Sequence, residues 1–148
     1  MFKKAMLFLG ILLMASGFAY AEEKYTVSGE VVYQGSENIC VCLHNQETWP
    51  NWKKELPPGR FTQIVKANPS GKTSFEFKEV PKGEYIIMLF VDENNNGKFD
   101  CNPEGWPKEP WSMYKRPTSM ATSHNWYHQK FEVNRDITGI VMEFESMY

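Results

Sequence analysis

Beyond residue 21, no stretch of a dozen residues combines helical periodicity with freedom from Pro and Gly, so the chain is confined to short extended segments. From Tyr25 to Gln34, Tyr25, Val27, Val31 and Tyr33 alternate with Thr26, Ser28, Glu30 and Gln34, the period of two of a half-buried strand. Ile39, Val41 and Leu43 repeat it, and so do Phe75 and Phe77 between Ser74, Glu76 and Lys78. Val80-Pro81-Lys82-Gly83 has turn composition and is expected to send the chain back. Glu84 to Val91 is apolar on both faces, which predicts a central strand covered on each side. Lys130 to Val133 and Ile137 to Phe144 read as a closing pair around Asn134-Arg135-Asp136. The expected fold is an all-β antiparallel sandwich of about seven strands.

Two segments fall outside this pattern. Asn45 to Gly71 is rich in Pro, Gly and Asn, with one weak strand around Phe61 to Val65, and Pro103 to Tyr127 holds Trp106, Trp111 and Trp126. All five Trp lie outside the expected strands. Their rings would cover the open ends of the sandwich, or Trp106 and Trp111 would serve as an aromatic ligand platform.

The N-terminus reads as a secretory leader. Lys3 and Lys4 precede an apolar run from Ala5 to Phe18, and Ala19-Tyr20-Ala21 supplies the small-x-small pattern of a cleavage site. The run is short for a membrane span, which needs about 20 apolar residues. A signal peptide over residues 1–21 and one domain over 22–148 follow, leaving a mature chain of 127 residues with formal charge -4 and a periplasmic or secreted location. The intact chain carries -2 and has no basic footprint, which argues against nucleic acid as a partner.

After the central strand comes Asp92-Glu93-Asn94-Asn95-Asn96-Gly97-Lys98-Phe99-Asp100. Oxygen-bearing side chains at alternate positions, with Gly at the bend, let one loop collect ligands for a hard cation. Asp92, Asn94, Asn96 and Asp100 are the expected side-chain ligands, with the Lys98 carbonyl as the backbone one. Calcium suits the flexible mixture of amide and carbonyl oxygens better than magnesium, at an affinity on the order of 0.1 to 1 mM. Pro103 stands at the twelfth position, where an EF-hand has its bidentate Glu, so Glu104 or Glu109 must substitute. The same residues also spell a metal-free hairpin turn, because Asn-Gly is the preferred type I′ dipeptide.

Gly83-Glu84-Tyr85, the hydrophobic strand, the Asp92 to Asp100 loop and Gly105-x-Pro107-Lys108-Glu109-x-Trp111 together resemble the exported bacterial family called domain of unknown function 2141. The resemblance covers nearly all of the mature chain. It implies a small transthyretin-like or immunoglobulin-like sandwich in the cell envelope, without an established activity. Such proteins continue with Gly-Phe-Ser, whereas this chain has Ser112-Met113-Tyr114, and Cys101 follows the last Asp.

Cys40 and Cys42 share a strand face about 6.5 to 7 Å apart, too far for a relaxed bridge, so the expected disulfide joins Cys101 to Cys40 or Cys42, with three free thiols as the alternative. Cys40, Cys42 and His44 on one face form a soft-metal pattern, and Met113, Met120, His124 and His128 form a second one compatible with copper. No G-x-S-x-G or H-E-x-x-H occurs, and Lys66 replaces the first Gly of a phosphate loop ending at Ser70-Gly71-Lys72-Thr73. The resulting expectation is a non-catalytic envelope module with a calcium loop, whose partner is an envelope protein or glycan. A copper handler and a carbohydrate-binding module are the alternatives.

Overall fold

The computed structural model describes residues 21–49 and 59–144, so the expected leader up to Tyr20, Trp52 and the Pro57-Pro58 pair lie outside the described residues. Among the described residues, eight strands form two packed sheets, with two one-turn helices beside them. The smaller sheet has β1 (Lys24–Val32) between β4 (Lys72–Pro81) and β8 (Ile137–Glu143). The larger follows the order β3 (Phe61–Lys66), β2 (Asn38–His44), β5 (Gly83–Asp92) and β6 (Trp111–Met113), with β7 (Phe131–Val133) on the first residues of β5.

The alternation read from the sequence fixes which side chains enter the core. Val27 and Val31 of β1, Phe75 and Phe77 of β4, Ile39, Val41 and Leu43 of β2, and Tyr85, Ile87 and Leu89 of β5 meet between the sheets. β5 is central, as its uninterrupted apolar run requires. β2 is also buried on both faces, because β3 flanks it and a third layer covers its outer side.

That third layer holds three of the tryptophans. Trp49, Trp111 and Trp126 pack with Phe99 and Met113 over Cys40, Cys42, Ile86, Met88 and Phe90, the outward residues of β2 and β5. They cover a sheet face and not the open ends of the sandwich, because the two apolar-on-both-sides strands need a second lid. Two small helices hold this layer. α1 (Met120–Ser123) starts at a Ser119 capping box, and α2 (Trp126–Gln129) is capped by Asn125, whose side chain accepts from Tyr127 N.

Three pairings differ from the sequence reading. β4 does not turn back beside β5; the chain changes sheets at Lys82, and Tyr85 Oη donates to the Pro81 carbonyl at 2.8 Å, the tyrosine-corner device of Greek-key sandwiches. β7 and β8 do not pair with each other, since β7 joins β5 and β8 joins β1. The β1–β8 pair is parallel, so the sandwich is not wholly antiparallel. Close approach in that pair depends on Gly29: a Cβ there would lie 2.2 Å from the Ile140 carbonyl oxygen.

Candidate functional site

The acidic loop begins where β5 ends. Asp92 is buried at the last position of the strand, and its two carboxylate oxygens accept from Asn96 N at 3.0 Å and Gly97 N at 2.8 Å, which folds the loop back on itself. Asn95 and Gly97 take the left-handed conformation that this bend needs, with φ of 59° and 71°. Asn94 Oδ1 accepts from Asn96 N at 3.1 Å and Asn96 Oδ1 from Lys98 N at 2.8 Å, two consecutive Asx turns. Both amides then converge on one carboxylate: Asn94 Nδ2 donates to Asp100 Oδ2 at 2.6 Å and Asn96 Nδ2 to the same oxygen at 2.9 Å.

Hydrophobic and polar anchors hold the loop from below. Phe99 is buried against Phe90 with ring centroids 5.3 Å apart, and Asn38 of β2 donates to Asn95 Oδ1 at 2.8 Å. Glu109 is buried and accepts from Glu93 N at 3.2 Å and Asp100 N at 3.0 Å, so a single carboxylate ties the two ends of the loop together. Burial raises the Glu109 pKa above the usual carboxylate range, with added repulsion from Asp100 and Asp92, while the two backbone donors pull it down. Glu104, by contrast, is exposed in the turn after Asn102 and makes no hydrogen bond among the described residues. The choice the sequence left open between the two glutamates therefore falls to Glu109 as the loop's companion.

Asp92, Asn94, Asn96, Asp100 and Glu109 are thus brought together, and Lys98 sits among them with its main chain in the Asx turn. Among the described residues, no group of three or more His, Cys, Asp or Glu is arranged to hold a metal ion. The loop's oxygens come from two carboxylates and two amides, with Glu109 occupied by backbone donors. Asn38 and Phe99 were not marked as site residues from sequence; Phe99 breaks the polar run of the loop, and that break was the available signal.

The remaining candidates are scattered. Trp111 is 6% exposed inside the third layer while Trp106 is 57% exposed, so the two rings do not present one shared platform. Cys40, Cys42 and Cys101 are thiols, and Cys101 packs against the cluster that contains the other two. Burial pushes the Cys40 thiol up to about 12, and it raises the Cys42 and Cys101 thiols as well. His44 lies on the Cys40 face, yet its Nδ1 is 3.1 Å from the Thr48 carbonyl, to which it donates, and its ring meets Trp49 edge to face. Met113 is buried in β6, His128 is exposed on α2 and His124 follows α1; the Met120 side chain is outside the described residues.

Among curated proteins, the T-box transcription factor TBX5-A of Danio rerio is 29% identical over 108 residues, 66% of this chain and 21% of that protein. The chain therefore spans about a fifth of that relative's length. No solved structure matches it. The family described as "Uncharacterized protein conserved in bacteria", domain of unknown function 2141, matches residues 23–140, and the chain belongs to this family.

Proposed function

We propose that this protein is a non-catalytic binding module of the bacterial cell envelope, exported by its leader, whose Asp92–Asp100 loop takes a calcium ion. The observation that carries the reading is the convergence of Asn94 and Asn96 on Asp100, with Asp92 already folded inward by loop amides. Each amide oxygen spends one lone pair on a backbone N–H and retains a second, so modest side-chain rotation would replace the two N–H donors at Asp100 by oxygens around a cation. Asp92, Asn94, Asn96 and Asp100 would then ligate, the Lys98 carbonyl would add a backbone oxygen, and Glu109 would hold the loop ends as it does now. Glu104 would stay outside. The cation would offset the mutual repulsion of carboxylates that a metal-free loop must bear.

A non-catalytic role is supported by the placement of the Ser123 Oγ contact with His124 Nδ1: the serine is fully buried, where no substrate carbonyl reaches it. Trp106 alone gives the carbohydrate reading little support, and the dispersed Met and His residues give copper less. The T-box match brings no DNA-binding role, since it covers a small share of that protein and this chain is acidic. The partner is an envelope protein or glycan. Calcium titration of the wild type against Asp100→Asn tests the central reading: saturable binding that disappears in the variant supports it, and equal curves refute it.

Cys101 packs against the cluster holding Cys40 and Cys42, which supports the proposal that an oxidising compartment joins Cys101 to one of them. Peptide mapping under non-reducing conditions should find that bridge in protein taken from its native compartment; three alkylatable thiols there would exclude it.

A further inference from the structure

The same loop contains an Asn-Gly dipeptide whose polar atoms are each engaged by a neighbouring group of the loop. Gly97 N–H points at Asp92 Oδ2 at 2.8 Å, the Asn96 amide oxygen accepts from Lys98 N at 2.8 Å, and the Asn96 amide nitrogen faces Asp100 Oδ2 at 2.9 Å. Asn96 and Gly97 are both exposed, and nothing lies within 4 Å of the position a Gly97 Cβ would take, so water has access. Intramolecular attack of Gly97 N on the Asn96 side-chain carbonyl is helped by a base on the N–H, a donor on the developing oxyanion and an acceptor that orients the amide nitrogen, while the proton for the departing nitrogen comes from water. The base, the donor and the acceptor are present within four residues of Asn96.

We propose that Asn96 is a self-modification site, converted in the folded protein to a carboxylate by Asp92-assisted deamidation. Asp92 takes the proton from Gly97 N as the new N–Cγ bond forms, and Lys98 N–H stabilises the charge on Asn96 Oδ1. Nδ2 takes a proton from water at this exposed position, the Cγ–Nδ2 bond breaks and the nitrogen leaves as ammonia, and Asp92 returns the proton it took to the resulting hydroxide. Water opens the cyclic imide at Cγ to leave an ordinary aspartyl residue, or at the main-chain carbonyl to leave an isoaspartyl linkage. The net change is carboxamide plus water to carboxylate plus ammonium. On the cation reading above, on which this consequence alone rests, the aspartyl product gives the loop a third carboxylate and raises its affinity for calcium.

The experiment follows the peptide spanning Asp92 to Asp100 by mass spectrometry during incubation of the whole chain at neutral pH, folded and in denaturant. The proposal predicts several-fold faster conversion at Asn96 in the folded chain than in the unfolded one, slowing in Asp92→Asn and in Asp100→Asn, and no conversion in Asn96→Gln. An unfolded chain that converts faster than the folded one would overturn it, because the loop would then be protecting the amide. Asn94 and Asn95, which lack a following Gly, should stay unmodified in the same peptide. Because the mass readout needs no metal, failure of calcium binding leaves this result intact. Asn96→Asp, which should bind calcium several-fold more tightly than wild type, tests the consequence separately, and equal affinity would refute that consequence.

Discussion

His44 shows that a strand pattern gives a side chain's face and not its neighbours. Alternation along Asn38–His44 puts it beside Cys40 and Cys42, which is legible, but the tight turn that brings the Thr48 carbonyl to its Nδ1 and Trp49 to its ring is a tertiary fact. Burial lowers its pKa to about 4, against which the Thr48 hydrogen bond acts only in part. Protonation is thus disfavoured in the folded state, so His44 contributes stability that is complete above about pH 6.5 and is lost as pH falls toward 4. The loss attributable to this group is about 3 kcal/mol. Denaturant unfolding of wild type and His44→Gln across that window should show a steeper decline in the wild type; parallel curves would mean that His44 is not buried in its neutral form. At the loop, the alternate Asp and Asn positions were readable as turn-formers because Asx turns are set by local spacing. Whether Glu104 or Glu109 closes the loop was not, because the answer depends on Glu109 lying under Glu93 N and Asp100 N.

At the scale of elements, a period of two tells which face a residue occupies and says nothing of which strand lies beside it. The strands around Val27, Ile39, Phe75 and Ile87 were therefore legible, whereas the assignment of β7 to β5 and of β8 to β1 was not. β6 escaped notice because three residues between Pro110 and Tyr114 carry too little pattern, and its Trp111 looked like a loop ring until Phe90 paired with it. The parallel β1–β8 pair has its own signature in Gly29, which no hydrophobic pattern reveals. Since a methyl group there meets the Ile140 backbone and not a flexible side chain, Gly29→Ala should destabilise the protein by about 1–3 kcal/mol. Urea unfolding measures this, with the exposed Glu76→Ala on neighbouring β4 as a near-neutral control; equal midpoints for Gly29→Ala and wild type would contradict the close β1–β8 contact.

Taken as a whole, the molecule is two sheets and an aromatic lid, and the acidic loop is continuous with the central strand that both cores share. Among the described residues no helix is long and apolar enough to cross a membrane. Because Asp92 ends β5 and Phe99 enters the third layer, ordering the loop should stabilise the entire fold and not the loop alone. A cation bound only by the native state adds about 2.7 kcal/mol at a hundred times its dissociation constant. The decisive measurement is the melting temperature of the chain from residue 22 onward as free calcium rises from micromolar to tens of millimolar. A progressive increase, smaller with magnesium and absent in Asp92→Asn and Asp100→Asn, is the predicted result. A melting temperature indifferent to calcium throughout that range, with wild type and Asp100→Asn indistinguishable, would contradict the account and leave Asn94 to Gly97 as a metal-free turn.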